Sequence, residues 1–124
     1  MISVVINKDC MEDMPTYIDN YFDIAIVDPP YGGILNKKVG HGKLKESLAR
    51  HGGGDWDYAP DEKYFLELFR ISKNQIIWGG NYFIDKIKKP SSCWIVWNKL
   101  NGKSHYADCE LAWTSFTTAT RMHE

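Results

Sequence analysis

Short apolar runs alternate with amphipathic segments along the chain, and the two patterns predict different elements. Five apolar runs have the length of β-strands and lie at residues 2–6, 24–27, 75–78, 93–97 and 109–116. Residues 61–71 predict a helix, because their apolar positions mostly follow helical spacing and Pro60 and Asp61 provide a start. Residues 10–21 suit a short helix or a turn-rich connection, and residues 82–87 suit a second short helix.

The order of these elements predicts an α/β fold. Strands that alternate with helices form a mostly parallel sheet with helices on its faces. A polar turn around residues 101–103 joins the last two strands, which predicts a late antiparallel pair. A length of 124 residues suits one core, so we expect residues 1–124 to form a single domain.

Residues 32–58 interrupt this alternation and predict a long loop. The segment lacks sustained periodicity and contains seven of the ten glycines. The net charge of −1 gives no overall attraction to nucleic acid, so any such binding must come from a local patch. Between residues 36 and 51 this loop has five basic residues against the single acid Glu46, and we expect them to contact DNA phosphates: Lys37, Lys38, Lys43, Lys45 and Arg50. The alternative is a solvated surface loop.

Composition excludes several classes of protein. Cys10, Cys93 and Cys109 are odd in number and far apart, which is typical of reduced thiols in a cytoplasmic protein and unlike a zinc site. We therefore expect no metal. No apolar stretch approaches the 18 residues of a membrane span, and the start lacks the pattern of a signal peptide. We expect a cytoplasmic protein that does not contact membranes.

The apolar run at residues 24–27 ends in Asp28, Pro29, Pro30 and Tyr31. Ligands of open α/β sheets bind beyond the carboxyl ends of strands, where these residues lie. Asp28 offers carboxylate oxygens, and the prolines restrict the backbone so that nearby carbonyl groups keep a defined direction. Tyr31 offers a flat face. This set suits a planar ring with an exocyclic amine, and the alternative is a Pro-Pro turn with a capping aspartate.

Asp28-Pro29-Pro30-Tyr31 resembles the DPPY motif of S-adenosylmethionine-dependent DNA amino-methyltransferases, especially those that modify the N6 of adenine. The preceding INKDCMEDMP is similar to the strand–Asp–helix segment before that motif. The later FRISKNQIIWGGNYF and SCWIVWNKLNGKSHYADCELAWTSF resemble sheet strands of phage-type and prophage-type adenine methyltransferases. The resemblance covers nearly the whole chain and implies a Rossmann-like methyltransferase sheet, S-adenosylmethionine as cofactor and DNA as partner.

The resemblance also implies roles for individual residues. Asp28 and the Pro29 carbonyl would accept hydrogen bonds from the target amine, Pro30 would complete the rigid turn, and Tyr31 would stack on a base flipped out of the duplex. Asp9 would contact the adenosyl part of the cofactor, with Asp28 beside it. The alternative for Asp9 is a helix N-cap, aided by Glu12 in a capping-box pattern, and both roles can hold together.

One feature of the family is absent from the sequence. No glycine turn of the type that holds the methionyl part of the cofactor follows a strand, so the chain looks like the motif-containing half of the enzyme. The missing strands would lie between residues 2–6 and 24–27, supplied by a second chain or a C-terminal half. We therefore expect the isolated chain to be inactive and to bind S-adenosylmethionine weakly or not at all. The alternatives are a catalytically dead nucleic-acid or partner-binding module, and an acid–base enzyme that uses Asp28 with His41 or His51.

Residues of the later strands receive mainly structural interpretations. The tryptophans at positions 94, 97 and 113 alternate with apolar residues, so we expect them to pack on the sheet, with ligand contact as the alternative. Asp108 and Glu110 are expected to pair with Lys99 or Arg121, without a chemical role. Gly79 and Gly80 suit a tight turn, close to Asp28 if their strands are neighbours.

Overall fold

The computed structural model of the chain describes residues 2–32, 58–102 and 104–124. Within these ranges the chain forms three α-helices: α1 (Cys10–Asp13), α2 (Glu62–Ile71) and α3 (Ile84–Ile87). It also forms five strands: β1 (Phe22–Val27), β2 (Ser72–Trp78), β3 (Trp94–Asn98), β4 (Cys109–Thr114) and β5 (Arg121–His123). Two 3-10 helices, Met14–Thr16 and Gly80–Tyr82, follow α1 and β2.

The five strands form one open, mixed sheet in the order β1-β2-β4-β3-β5. β1 and β2 are parallel, as are β3 and β5, whereas β4 runs antiparallel to both of its neighbours. The structure thus confirms an α/β chain with a late antiparallel pair. Since β4 is reversed, its first residues lie beside the last residues of β2 and β3. Side chains from these three strands therefore lie at one end of the sheet.

Helix α2 covers one face of the sheet because its apolar side chains share one side. Asp61 caps its start, with the carboxylate accepting a hydrogen bond from the Tyr64 backbone N–H over 3.2 Å. Its buried residues are Tyr64, Phe65, Leu68 and Ile71. They join a core that includes Met14, Ile77, Phe83, Ile87 and Trp113. This core holds β1 and β2 in fixed positions below the candidate site.

Arg70 connects the end of α2 to the N-terminal segment. Its guanidinium donates to the carbonyl oxygens of Tyr17 at 2.8 Å and Met14 at 3.2 Å, and it forms an ion pair with Glu67 at 2.8 Å. A planar guanidinium can serve several acceptors at once, which an ammonium group cannot do with the same geometry. The segment that carries Asp9 is therefore anchored to the helical layer.

Two strand predictions differ from the structure. Residues 2–6 form no strand, and Ile2 and Val5 are 92% and 93% exposed. An apolar run becomes a strand only beside a partner that completes its backbone hydrogen bonds, and none of the described strands pairs with it. β5 was not predicted, because its three exposed residues show no alternation and its pairing with β3 alone defines it.

Candidate functional site

Asp28 lies at the carboxyl end of β1, at the centre of the candidate site. Val27, the last residue of β1, pairs with Ile77 of β2, so Asp28 and Trp78 each lie one residue beyond this pair. Pro29 is buried and Asp28 is exposed, which fixes the turn while leaving the carboxylate accessible. The sequence predicted this placement from the apolar run and the two prolines.

Tyr31 is held beside Asp28 by a hydrogen bond and by ring packing. Its hydroxyl donates to Oδ1 of Asp28 over 3.2 Å, and its ring centroid lies 4.9 Å from that of Tyr82. Gly79 approaches the same ring so closely that an added Cβ would overlap it, and its φ of +65° lies in the region that favours glycine. The turn after β2 therefore sets the position of the aromatic ring after β1.

The Tyr31 hydroxyl remains protonated in this setting. Partial burial, the neighbouring Asp28 carboxylate with its hydrogen bond, and the charge of Glu110 together raise the pKa of Tyr31 well above its usual range. A neutral hydroxyl can keep donating its proton to Asp28 throughout the physiological pH range. The hydrogen bond consequently orients the ring without adding a negative charge to the site.

A cavity of about 740 Å³ opens on one side of Asp28. Its lining includes Asp9, Cys10, Asp28, Pro29 and Tyr64, so the two aspartates predicted at the cofactor share one cavity. Asp9 also caps α1, with Oδ1 accepting from the Met11 backbone N–H over 2.8 Å. The volume suits a small molecule, and the carboxylates suit hydroxyl or amino groups on it.

A second cavity, of about 280 Å³, also has Asp28 in its lining. Three aromatic residues and two carboxylates line it: Asp28, Tyr31, Trp78, Trp97 and Glu110. The Trp78 and Trp97 ring centroids are 6.4 Å apart, with their planes at 80°. Flat walls with acceptor oxygens suit a planar ring that carries N–H groups. Asp28 is the residue that the linings of the two cavities have in common.

Sequence reasoning missed two residues of this smaller cavity, Trp97 and Glu110. Trp97 was expected to pack on the sheet, but it is 47% exposed, in contrast to Trp113, which is 1% exposed in the core. Glu110 was assigned no chemistry, although its predicted pairing with Lys99 is confirmed at 2.7 Å. Trp78, the last residue of β2, directly precedes the turn at residues 79–80 that was expected close to Asp28. The signal that could have found Trp97 and Glu110 is the β3–β4 register, which places these two residues opposite each other.

The remaining sequence predictions concern the basic residues, the cysteines, metals and membranes. The five basic residues of the glycine-rich loop, Lys37, Lys38, Lys43, Lys45 and Arg50, fall outside the described residues. The three cysteines are free, and burial together with the nearby Asp9 raises the pKa of the Cys10 thiol, which keeps it neutral. Among the described residues, no group of three or more potential ligands is arranged to hold a metal. In the same ranges, every helix is too short or too polar to span a membrane.

Comparisons of the chain with protein-family models, curated proteins and solved structures found no match. The chemistry of the site therefore has to be argued from its residues and their positions. Those positions place one carboxylate between two cavities of different size and lining. Such an arrangement suits a reaction or a recognition event that involves two ligands at once.

Proposed function

We propose that the chain is the base-binding half of an S-adenosylmethionine-dependent DNA amino-methyltransferase that acts on the N6 amine of adenine. One observation carries the proposal: Asp28 lines both a larger cavity of about 740 Å³ and a smaller aromatic one of about 280 Å³. A methyl transfer needs the donor and the amine on either side of one short path. The two cavities meet at the residue that would handle the amine.

Asp28 has the chemistry that amine activation requires. A carboxylate that accepts a hydrogen bond from the amine makes the nitrogen lone pair more available and stabilises the positive charge that develops on that nitrogen. The Pro29 carbonyl would accept the other amine hydrogen, and Pro30 keeps the turn rigid. Preorganised acceptors of this kind lower the barrier because they need not reorient during the reaction.

Tyr31 would bind the flipped base by stacking. The Asp28 hydrogen bond and the close approach of Gly79 fix its ring before any ligand arrives. A base that leaves the duplex loses its stacking on neighbouring bases, and an aromatic side chain restores part of that free energy. Because Tyr31 and Asp28 are linked, stacking and amine recognition are expected to occur in one geometry.

The larger cavity fits the adenosyl part of the cofactor. Asp9 and Asp28 offer carboxylate oxygens there, and Val27, Met11 and Tyr64 supply apolar surface. S-adenosylmethionine, when bound, supplies an electrophilic methyl group: the new N–C bond uses the amine lone pair, the old C–S electron pair stays on sulfur, and the amine releases a proton to solvent. On the chain's side, Asp9 would hold the adenosyl group and Asp28 would hold the amine.

The proposed enzyme needs additional strands beside those of the described sheet. β1 forms one edge of the described sheet, and its Ile24 and Ile26 side chains are 42% and 64% exposed. Residues 2–6 are exposed as well. We propose that strands carrying the glycine turn of the cofactor site pair with β1, either from a second chain or from a C-terminal half. The isolated chain is then inactive.

The test is transfer of a labelled methyl group from S-adenosylmethionine to duplex DNA. The chain should be inactive alone and become active when a second chain or a C-terminal half supplies the strands with the glycine turn, with label recovered as N6-methyladenine. Specific DNA binding without transfer by the completed protein would instead favour the catalytically dead binding module. Label recovered on cytosine would retain the mechanism and change the base.

A further inference from the structure

Glu110 occupies a defined position on the wall of the smaller cavity. It pairs across the β3–β4 ladder with Trp97, and Ala112, two residues later on the same face, pairs with Trp78. The two tryptophans and Glu110 therefore lie on one face of the sheet as neighbours. Asp28 reaches the same cavity from the end of β1.

The Glu110 side chain is held in place and keeps capacity for a ligand. Oε1 forms an ion pair with Lys99 Nζ at 2.7 Å, and both side chains are about 30% exposed (31% and 28%). The Lys99 backbone N–H donates to the Asp108 carbonyl at 2.9 Å, which ties the lysine to the hairpin. An ionised carboxylate has two oxygens and about four acceptor sites, so one ammonium partner does not saturate it.

We infer that Glu110 is a specificity-determining residue of the smaller cavity: it accepts the second N–H of the ligand's amine and so selects a primary amine on a planar ring. Lys99 is a positioning residue that acts through Glu110. The inference rests on the proposed function, since it assumes that Asp28 accepts the first N–H. The Pro29 carbonyl keeps its proposed role, and Glu110 shares the second hydrogen with it in a three-centre hydrogen bond.

The arrangement separates substrate from product. A primary amine gives one hydrogen to Asp28 and one to Glu110. After a single methylation, one of these carboxylates faces a methyl group and loses its hydrogen bond. The amine is therefore expected to receive one methyl group, and the methylated base is expected to leave the cavity more readily than the unmethylated base enters it.

The experiment uses the 124-residue chain and three ligands: 9-methyladenine and its N6-methyl and N6,N6-dimethyl derivatives. Binding is followed by NMR from the indole N–H signals of Trp78 and Trp97, with those of the core residue Trp113 as an internal reference. The wild-type chain should bind the primary amine roughly ten-fold more tightly than the monomethyl derivative, the scale of one hydrogen bond to a charged group. The dimethyl derivative should bind more weakly still.

Variants assign the discrimination to Glu110. Glu110→Leu removes the acceptor and should reduce the ten-fold preference to about two-fold or less, whereas Glu110→Gln keeps an acceptor and should retain most of it. Lys99→Met frees the Glu110 side chain and should reduce the preference in part. Lys88→Met is the control, because it breaks an ion pair with Glu62 that does not line the smaller cavity, and it should preserve the preference. If Glu110→Leu does not fold, the preference for the primary amine over the monomethyl derivative is still measured in the wild-type chain and in the Gln variant, and these two measurements test the inference.

Three results would overturn the inference. They are equal wild-type affinity for the primary and monomethyl ligands, an undiminished preference in a folded Glu110→Leu variant, and ligand binding that leaves the Trp78 and Trp97 signals unchanged. If Asp28→Asn weakens binding of the primary-amine ligand while Glu110→Leu does not, the role proposed for Glu110 is wrong and the role proposed for Asp28 is supported. The proposed methyl transfer is judged separately, by the labelled-DNA assay.

Discussion

At the scale of single residues, Asp28, Tyr31 and Gly79 from two turns form one unit. The Tyr31 hydroxyl donates to Asp28, and the Tyr31 ring rests where Gly79 leaves room for it. The two turns follow β1 and β2, which are hydrogen-bonded neighbours. A carboxylate and an aromatic ring are therefore positioned by backbone geometry before a ligand binds, which is the condition for electrostatic preorganisation.

Asp28→Asn should lower methyl transfer far more than it lowers stability. The asparagine keeps the shape and one acceptor oxygen, but its amide donor can point at the hydrogens of the target amine. We expect the single-turnover rate of the completed enzyme on duplex DNA to fall by roughly two to four orders of magnitude, while the variant still folds and binds the cofactor.

Tyr31→Ala is the comparison variant, because it should instead weaken capture of the flipped base by about 1–3 kcal/mol. A near-parental rate for Asp28→Asn would reduce this aspartate to a turn residue.

Gly79→Ala should destabilise the protein by about 2–4 kcal/mol in urea unfolding. Part of the loss is the cost of placing a Cβ at φ +65°, and the rest is the overlap with the Tyr31 ring. Gly102→Ala is a matched control, because it has a similar φ of +62° and no described atom within 4 Å of the added Cβ. Equal losses in the two variants would mean that ring packing contributes nothing at Gly79.

At the scale of elements, helix α2 does most to fix the layer beneath the site. Its apolar side chains are buried against the sheet, and its start lies at the rim of the larger cavity, where Asp61 is one of the lining residues. The capping carboxylate satisfies one of the backbone N–H groups that a helix start leaves without a partner. Asp61 thus links the stability of the helix to the shape of the cavity.

Asp61→Ala should reduce the free energy of unfolding by about 0.5–2 kcal/mol, the usual cost of losing an N-cap. Asp61→Asn retains the acceptor oxygen for the Tyr64 N–H and should stay within a few tenths of a kcal/mol of the parent. Chemical denaturation monitored by far-UV circular dichroism measures both. A loss in the asparagine variant as large as in the alanine variant would show that charge, and not capping, stabilises this end.

Elements that carry their own hydrophobic signal were predictable from the sequence. β1 and α2 have an apolar run or a helical apolar face, and a start or stop residue beside it. Elements defined by pairing were not: β5 exists through its ladder with β3, and residues 2–6 remain exposed without a partner. The same limit applies to the site. Asp28 and Tyr31 are three positions apart in one short motif, whereas Trp97 and Glu110 meet only through the register of the hairpin.

At the scale of the whole molecule, the edge strand β1 and the N-terminal segment both carry exposed apolar side chains. Ile24 and Ile26 of β1 are exposed, as are Ile2 and Val5 of the N-terminal segment. An unpaired edge with apolar side chains is a site for further strands or for aggregation. This distribution supports the proposal that additional strands pair with β1. If those strands carry the cofactor turn, we expect the isolated chain to bind S-adenosylmethionine weakly or not at all.

DNA binding is expected to depend on the basic loop. Replacement of Lys37, Lys38 and Lys43 by Ala should weaken binding to all DNA sequences alike and reduce the slope of log affinity against log salt by about 2–3. Replacement of Lys63, Lys73 and Lys88, which are exposed elsewhere, removes the same charge and serves as the control. If both triple variants have the parental slope, the loop is a solvated surface segment.

The position of Asp28 between two cavities also has a thermodynamic consequence. A ligand in either cavity draws on the same carboxylate oxygens, so the occupant of one cavity changes the affinity of the other. Linkage requires this factor to be the same in both directions, and heterotropic effects of this kind commonly span about 5- to 150-fold. Binding of the cofactor therefore changes the affinity for the base, and the reverse, through the Asp28 side chain. Asp28→Asn is expected to make the two binding events independent as well as to slow the reaction.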